Sequence, residues 1–168
     1  MLYSGNRSIF INLNSTDCIM VSLRQIEEFI GAEPVAMVGV SRNPKKFGFA
    51  AFRELKEKGM NIIPVNPHAE EIHQSKVYRD IKSLPDDVKS VIIMTRKSQT
   101  AGVIREAREK GIKNIWIQQN SENKEAMNEL QGSDINFITG QCILMYYKPH
   151  SIHKFHAAIK KLFGRYPK

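Results

Sequence analysis

Val35-Ala36-Met37-Val38-Gly39-Val40-Ser41-Arg42-Asn43-Pro44-Lys45-Lys46-Phe47-Gly48 is the stretch that decides the fold. Its first six residues are nearly all apolar, as expected of a strand covered on both faces. Gly39 permits a tight turn out of that strand. Asn43 suits a helix N-cap and Pro44 the first helical position. The spacing then predicts a helix over 45–58, with Phe47, Ala51 and Leu55 on one face and Gly59 as its stop. Such a strand, turn and helix start leave backbone N–H groups facing the strand end, where an anion binds well. Gly48 lets the helix approach the sheet closely. Lys45 and Lys46 stand at the positive end of the helix dipole, the wrong end for cations. A phosphate arriving between them and the helix resolves that conflict. Solvated surface lysines are the plainer alternative.

Outward from this stretch, apolar runs alternate with amphipathic ones. Residues 61–66 (NIIPVN) read as a second strand, and Pro64 inside it suggests a sheet edge. Residues 90–95 (SVIIMT) read as a third strand. A helix over 99–110 follows, with Val103, Ile104 and Ala107 inward and Gly111 ending it. Residues 114–119 (NIWIQQ) make a fourth strand, and Ser121 is the expected N-cap of a helix over 122–130. A short fifth strand covers 136–139. The last helix, 150–163, carries Ile152, Phe155, Ile159 and Leu162 on one stripe. Only 67–89 resists assignment, beyond a short helix near 80–84 and an extended piece at 76–78. Strands alternating with helices imply parallel pairing and right-handed crossovers. The expected fold is therefore α/β: a doubly wound, five-stranded, mainly parallel sheet with helices on both faces. Ligands of such sheets bind outside the carboxyl ends of the strands.

The 168 residues fit one domain over 21–168, preceded by a loosely attached leader over 1–20. Asn12, Asn14 and Asp17 interrupt the apolar stretch that a secretory signal needs. Met20 is an alternative start, because a helical pattern begins just after it. No run approaches the ~18 apolar residues of a membrane span. Cys18 and Cys142 do not form a disulfide framework, which points to a reducing, cytoplasmic setting. The formal charge of +8 favours an anionic partner: nucleic acid, an acidic membrane surface or a polyphosphate cofactor. The charge is uneven. No acid follows Asp134, whereas Lys148, Lys154, Lys160, Lys161, Arg165 and Lys168 do.

The loop after the first strand is not the dinucleotide fingerprint, which needs G-x-G-x-x-G and a carboxylate about 20 residues on. Ser41 stands in place of the second glycine, and the second strand ends in Asn66-Pro67. NAD is disfavoured on that ground. NADP, with Arg42 on its extra phosphate, stays open. Three features carry a resemblance instead: Gly39-x-Ser41 with the delayed Gly48, then Ile63-Pro64-Val65-Asn66-Pro67, then Ile115-Trp116-Ile117-Gln118. Together they resemble the small stand-alone CoA-binding domain proteins, similar to the amino-terminal domain of the succinyl-CoA synthetase alpha subunit. The resemblance covers residues 33–142. It implies a Rossmann-like fold with CoA or acyl-CoA lying across the strand ends. It also implies that Gly39, Ser41, Arg42 and Gly48 line the phosphates, with Lys46 and Phe47 as further cofactor-binding candidates. Asn66 and Pro67 would touch the nucleotide end, with Met94 and Thr95 beside it. Ile117, Gln118 and Gln119 would border the pantetheine arm. Two positions depart from the family: Asn120 stands where glycine is common, and Gln141 replaces the acid that often precedes the cysteine. The synthetase's phosphorylated histidine belongs to a second domain, so its ligase chemistry does not transfer.

Cys142, after the fifth strand, is a candidate to face the CoA thiol in a mixed disulfide or to act as a nucleophile. A buried small hydrophobe is the plainer reading. His150, His153 and His156 sit three apart with no cysteine or carboxylate among them, so a basic helix face is favoured over a metal site. Trp116 reads as core. His68 follows the V-N-P motif and lies within reach of a nucleotide, or is simply an exposed loop histidine. The reading that gathers most of these features is a CoA or acyl-CoA binding module that delivers CoA to a partner enzyme, reports the acyl-CoA pool or caps a thiol, alone or as a homodimer. Its rivals are an NADP-dependent oxidoreductase or redox sensor, and a nucleic-acid-binding protein using the basic carboxyl-terminal helix.

Overall fold

The computed structural model describes residues 21–148. The leader over 1–20 and the histidine-bearing helix expected over 150–163 lie outside the described residues. The first helix, α1 (Leu23–Gly31), opens with a capping box between Ser22 and Gln25. Strand β1 (Val35–Val38) follows, then α2 (Phe47–Glu57) and β2 (Ile62–Val65). A small antiparallel hairpin comes next, β3 (Glu71–Ile72) and β4 (Ser75–Lys76). Beyond it run β5 (Ser90–Ile93), α3 (Lys97–Glu109), β6 (Asn114–Gln118), α4 (Lys124–Leu130) and β7 (Asn136–Gln141). A single 3-10 turn, Ile143–Met145, ends the described chain.

Five strands form one parallel sheet in the order β2-β1-β5-β6-β7. Outside β2, Tyr78 makes an isolated parallel bridge to Val65. Counting Tyr78 as the vestige of a third strand, the order is that of the dinucleotide-binding folds, reversing direction beside β1. Pro64 explains why this edge is thin. Its carbonyl accepts the Tyr78 N–H at 3.0 Å on the outer side, where Pro64 has no N–H to give in return.

Period-two alternation sends successive strand residues to opposite faces, and both faces are dry. Val35, Met37, Ile92, Trp116 and Ile138 face α1 and α2, packing with Phe29, Phe52 and Leu55. Ala36, Val91, Ile93, Ile115 and Ile117 face α3 and α4, packing with Ile104, Ala107, Ala126 and Leu130. Trp116 is fully buried and meets Phe29 edge-on at 5.4 Å between ring centroids. Its indole N–H donates to the Gln141 carbonyl at 3.1 Å. The β6–β7 register slips between Trp116 and Gln118, and that local irregularity lets β7 run on to Gln141.

Several local expectations are corrected. Helix α2 begins at Phe47, with Lys46 at the N-cap, three residues later than the Asn43-Pro44 signal suggests. Phe47 does not join Ala51 and Leu55 in the core; it is 53% exposed at the first position of the helix. Asn123, not Ser121, caps α4, accepting the Ala126 N–H at 2.7 Å. Residues 80–84 form no helix: the Asp80 carboxylate accepts the Ser83 N–H at 2.8 Å and closes a turn. Among the described residues no helix is long and apolar enough to cross a membrane.

Trp116 bridges three elements, so its removal tests the packing scheme directly. Trp116→Ala is expected to cost about 3–5 kcal/mol, the range for large aromatic truncations in cores, read from a urea unfolding curve.

Candidate functional site

Two glycines fix the geometry after β1. Gly39 has φ +93, and a Cβ there would lie 2.6 Å from the Met94 carbonyl oxygen. A Cβ on Gly48 would lie 2.7 Å from the Gly39 carbonyl oxygen and 3.5 Å from the Ser41 nitrogen. The end of β5, the β1 turn and the first turn of α2 thus stack backbone on backbone, with no room for a side chain at either position. The first turn of the helix is held against the strand ends.

Between the glycines the chain folds through a hydrogen-bonded turn. Ser41 Oγ accepts the Asn43 N–H at 3.0 Å, Asn43 Oδ1 accepts the Lys45 N–H at 2.9 Å, and the Asn43 carbonyl accepts the Lys46 N–H at 3.0 Å. Asn43 therefore caps a turn that precedes the helix, not the helix itself. The Phe49 and Ala50 N–H groups bond to the Lys46 carbonyl. Among the described residues, the N–H groups of Ser41, Arg42, Phe47 and Gly48 have no hydrogen-bond partner. Arg42, Lys45 and Lys46 are exposed and make no ion pair among the described residues. No acid occurs between Glu33 and Glu54. Four free amides and three free cations make this loop strongly anion-attracting.

Two cavities open beside it. One, of about 300 Å³, is lined by Ser41, Arg42, Asn43, Asn66 and His68. The other, of about 480 Å³, lies across the carboxyl ends of β1, β2 and β5. Its floor is Val38, Gly39, Val65 and Thr95, and its walls are Asn66–His68, Arg79–Ile81 and the Gln99, Gly102, Val103, Glu106 side of α3. Asn66 and His68 line both, so the cavities meet at the end of β2. The Asn66 amide donates to the Val40 carbonyl at 2.7 Å and accepts the His68 N–H at 2.7 Å. Asn66 thus ties the β2 end to the β1 loop, a role its motif position alone did not reveal. Thr95 Oγ1 lies 3.1 Å from Thr100 Oγ1, whose hydroxyl donates to the Ser121 carbonyl at 2.7 Å.

The remaining candidates divide. Pro67 lines the larger cavity, and Met94 lends its backbone to the Gly39 contact. Ile117 is fully buried in the core on the α3 side. Gln118 is 5% exposed, and its side-chain oxygen accepts the Ile143 N–H at 3.2 Å. Gln119 is exposed just past β6. Asn120 has φ +74, the left-handed conformation for which glycine is common and asparagine the best substitute. Cys142 is half-buried against the α1–α2 side of the core, next to the 3-10 turn. Arg79, Gln99 and Glu106 were not singled out by sequence. Only the bridge at Tyr78 and the helical spacing of 99, 102, 103 and 106 bring them to the strand ends.

The Asn66 clamp has a direct check. Asn66→Asp replaces the donor facing the Val40 carbonyl with a carboxylate oxygen. The variant is expected to lose about 1–3 kcal/mol, the cost of leaving a partly buried acceptor unpaired, measured by chemical denaturation at neutral pH.

The CoA binding domain family matches residues 33–148. Over 93 residues the chain is 34% identical to the alpha subunit of ADP-forming acetate–CoA ligase II of Pyrococcus furiosus, covering 55% of this chain and 20% of that subunit. It therefore spans about a fifth of the length of that relative. It is 28% identical over 123 residues to the protein YneT of Bacillus subtilis, covering 73% of this chain and 91% of YneT. The solved structure of a conserved hypothetical protein from Pyrococcus furiosus matches with a TM-score of 0.63 at 34% identity, covering 66% of this chain and 95% of the other. A match running from the turn before β1 to the end of the described fold leaves one assignment: the chain belongs to the CoA binding domain family.

Proposed function

We propose that this protein binds coenzyme A or an acyl-CoA, with the pyrophosphate over the loop from Gly39 to Gly48 and the adenosine in the cavity between β2 and α3. The observation that carries this reading is the glycine stack. It brings the free Ser41, Arg42, Phe47 and Gly48 amides into one loop, beside cations that make no ion pair among the described residues. Charge-assisted hydrogen bonds from such a nest suit a diphosphate. The larger cavity supports the adenosine end, since its apolar floor of Val38 and Val65 suits a base and its polar rim suits a ribose.

The ligase relative extends far beyond the length matched here. We take this chain as the CoA-holding module of such chemistry, with a partner enzyme as the acceptor of CoA or the acyl group. The loop that would border the pantetheine arm is shaped by Asn120 and by the Gln118 contact to Ile143. NADP is the competing ligand, since the end of β2 bears no carboxylate to hold free ribose hydroxyls.

Calorimetric titration with CoA, adenosine and NADPH separates the readings. CoA is expected to bind far more tightly than adenosine, and more tightly than NADPH. Equal affinity for CoA and adenosine would remove the phosphate cradle from the account.

Gly48→Val tests the cradle itself. The added side chain collides with the Gly39 carbonyl and pushes α2 off the strand ends. Losing two charge-assisted hydrogen bonds at roughly 1.5–3 kcal/mol each weakens CoA binding by about 100-fold or more. Circular dichroism should show the sheet intact. A folded Gly48→Val protein with normal CoA affinity would place the site elsewhere.

A further inference from the structure

We infer that Arg79 is the residue that reads a phosphate on the ribose, and so sets the preference for ribose-phosphorylated adenine nucleotides over their dephosphorylated forms. This inference rests on the adenosine placement proposed above. In dinucleotide folds the residue at the end of the second strand meets the ribose hydroxyls: a carboxylate there binds free hydroxyls, and an arginine nearby accommodates a ribose phosphate. Here the strand ends in Asn66, whose amide is already engaged with Val40 and His68. The charge at this position comes from the neighbouring segment instead. Tyr78 pairs in parallel with Val65, and the Asn66 N–H donates to the Tyr78 carbonyl at 2.9 Å. That register puts Arg79 alongside Asn66, one residue past the bridge.

Arg79 lines the larger cavity, is exposed, and makes no ion pair among the described residues although Asp80 and Glu106 line the same cavity. Asp80 is partly committed elsewhere, accepting the Ser83 N–H. A guanidinium with no ion pair among the described residues, at the rim where the ribose would lie, suits a phosphate with its planar fork of donors. Arg42 is a second guanidinium near the strand ends, but it lines the smaller cavity with Ser41 and Asn43, next to the free loop amides. The two arginines therefore divide the ligand: Arg42 serves the pyrophosphate common to all these nucleotides, and Arg79 serves the additional ribose phosphate. The shared chemistry is an adenosine diphosphate bearing one more phosphomonoester on its ribose, at the 3′ position in CoA and the 2′ position in NADP.

The test is isothermal titration of the full chain and of Arg79→Ala, Arg79→Lys and Arg42→Ala with four ligands: CoA, dephospho-CoA, NADP and NAD. The wild-type protein is expected to prefer CoA to dephospho-CoA by about 10- to 100-fold, the range for one charge-assisted contact. Arg79→Ala should bring that ratio near one by weakening CoA alone, and Arg79→Lys should restore part of it. Arg42→Ala should weaken CoA and dephospho-CoA together and leave their ratio unchanged. If the ratio depends on Arg79 for NADP against NAD while neither CoA form binds, the ribose-phosphate assignment stands and the CoA reading falls. If CoA binds and its preference over dephospho-CoA survives Arg79→Ala, the assignment to Arg79 is overturned and the CoA reading stands. If none of the four ligands binds the wild-type protein, both are overturned.

Discussion

The contact on which the rest of the molecule depends is backbone against backbone: the Gly48 Cα over the Gly39 carbonyl, and Gly39 over the Met94 carbonyl. Helix and sheet normally meet through side chains, which hold their axes apart by the width of a packed layer. Removing side chains at two consecutive contacts brings the start of α2 down onto the strand ends. The helix then begins over the carboxyl ends of β1 and β5. Its first N–H groups lie within the crevice where doubly wound sheets hold ligands. Every polar feature of the loop is arranged around that placement. Ser41 and Asn43 take up the N–H groups of Asn43 and Lys45, and those of Ser41, Arg42, Phe47 and Gly48 are left without partners among the described residues. Unpaired donors are tolerable here because the loop is exposed to water, and they become an asset when an anion replaces that water.

The two dry faces of the sheet supply the stiffness this contact needs. A loop whose binding groups are backbone amides has no rotamers to adjust, so its geometry is only as fixed as the strands beneath it. β1 and β5 lie inside the sheet, with Val35, Ala36, Met37, Ile92 and Ile93 fully buried. Both end directly under the glycine stack. The edges are looser in ways that follow from sequence. β2 carries Pro64 and pairs outward only through Tyr78, and β7 joins β6 through a shifted register. The rigid centre carries the loop from Gly39 to Gly48. The variable edges carry the groups that would distinguish one ligand from another.

The five main strands, their order of appearance and the two-faced covering were legible because each strand is a short apolar run between turn residues. Local signals misled where one motif served two possible ends. Asn43-Pro44 reads as a helix start, yet its hydrogen bonds close a turn three residues earlier, because the helix must wait until Gly48 has cleared the Gly39 carbonyl. Phe47 fits the apolar stripe with Ala51 and Leu55. The same delay leaves it at the helix mouth, exposed. The extended piece expected at 76–78 meets the end of β4 and the Tyr78 bridge, but the hairpin turn itself left no mark, since His73 and Gln74 hold φ of 47 and 55 without the glycine or asparagine that announces such a turn. Site residues named from the motif fell where strand ends dictate, except where the side chain was needed for structure. Gln118 is the clearest case: its amide holds the Ile143 N–H, a partner 25 residues away that no local pattern reveals.

Asn66 shows why an apparent deviation from the dinucleotide pattern is a constraint of this fold. A carboxylate at the end of β2 would face the Val40 carbonyl at hydrogen-bond distance, acceptor against acceptor. The amide satisfies that carbonyl and also fixes the His68 backbone, so the β1 loop and the β2 end move as one piece. The fold thus exchanges the usual reader of ribose hydroxyls for a structural clamp. On the reading proposed above, a ribose is met from outside β2, where, among the described residues, the segment through Tyr78 is paired. That segment is held by two hydrogen bonds, to the Pro64 carbonyl and from the Asn66 N–H. The residue after Tyr78 can therefore vary in chemistry without disturbing the sheet, while Asn66 cannot. On the reading proposed above, ligand discrimination falls to the segment through Tyr78, because the end of β2 is already committed to holding the loop.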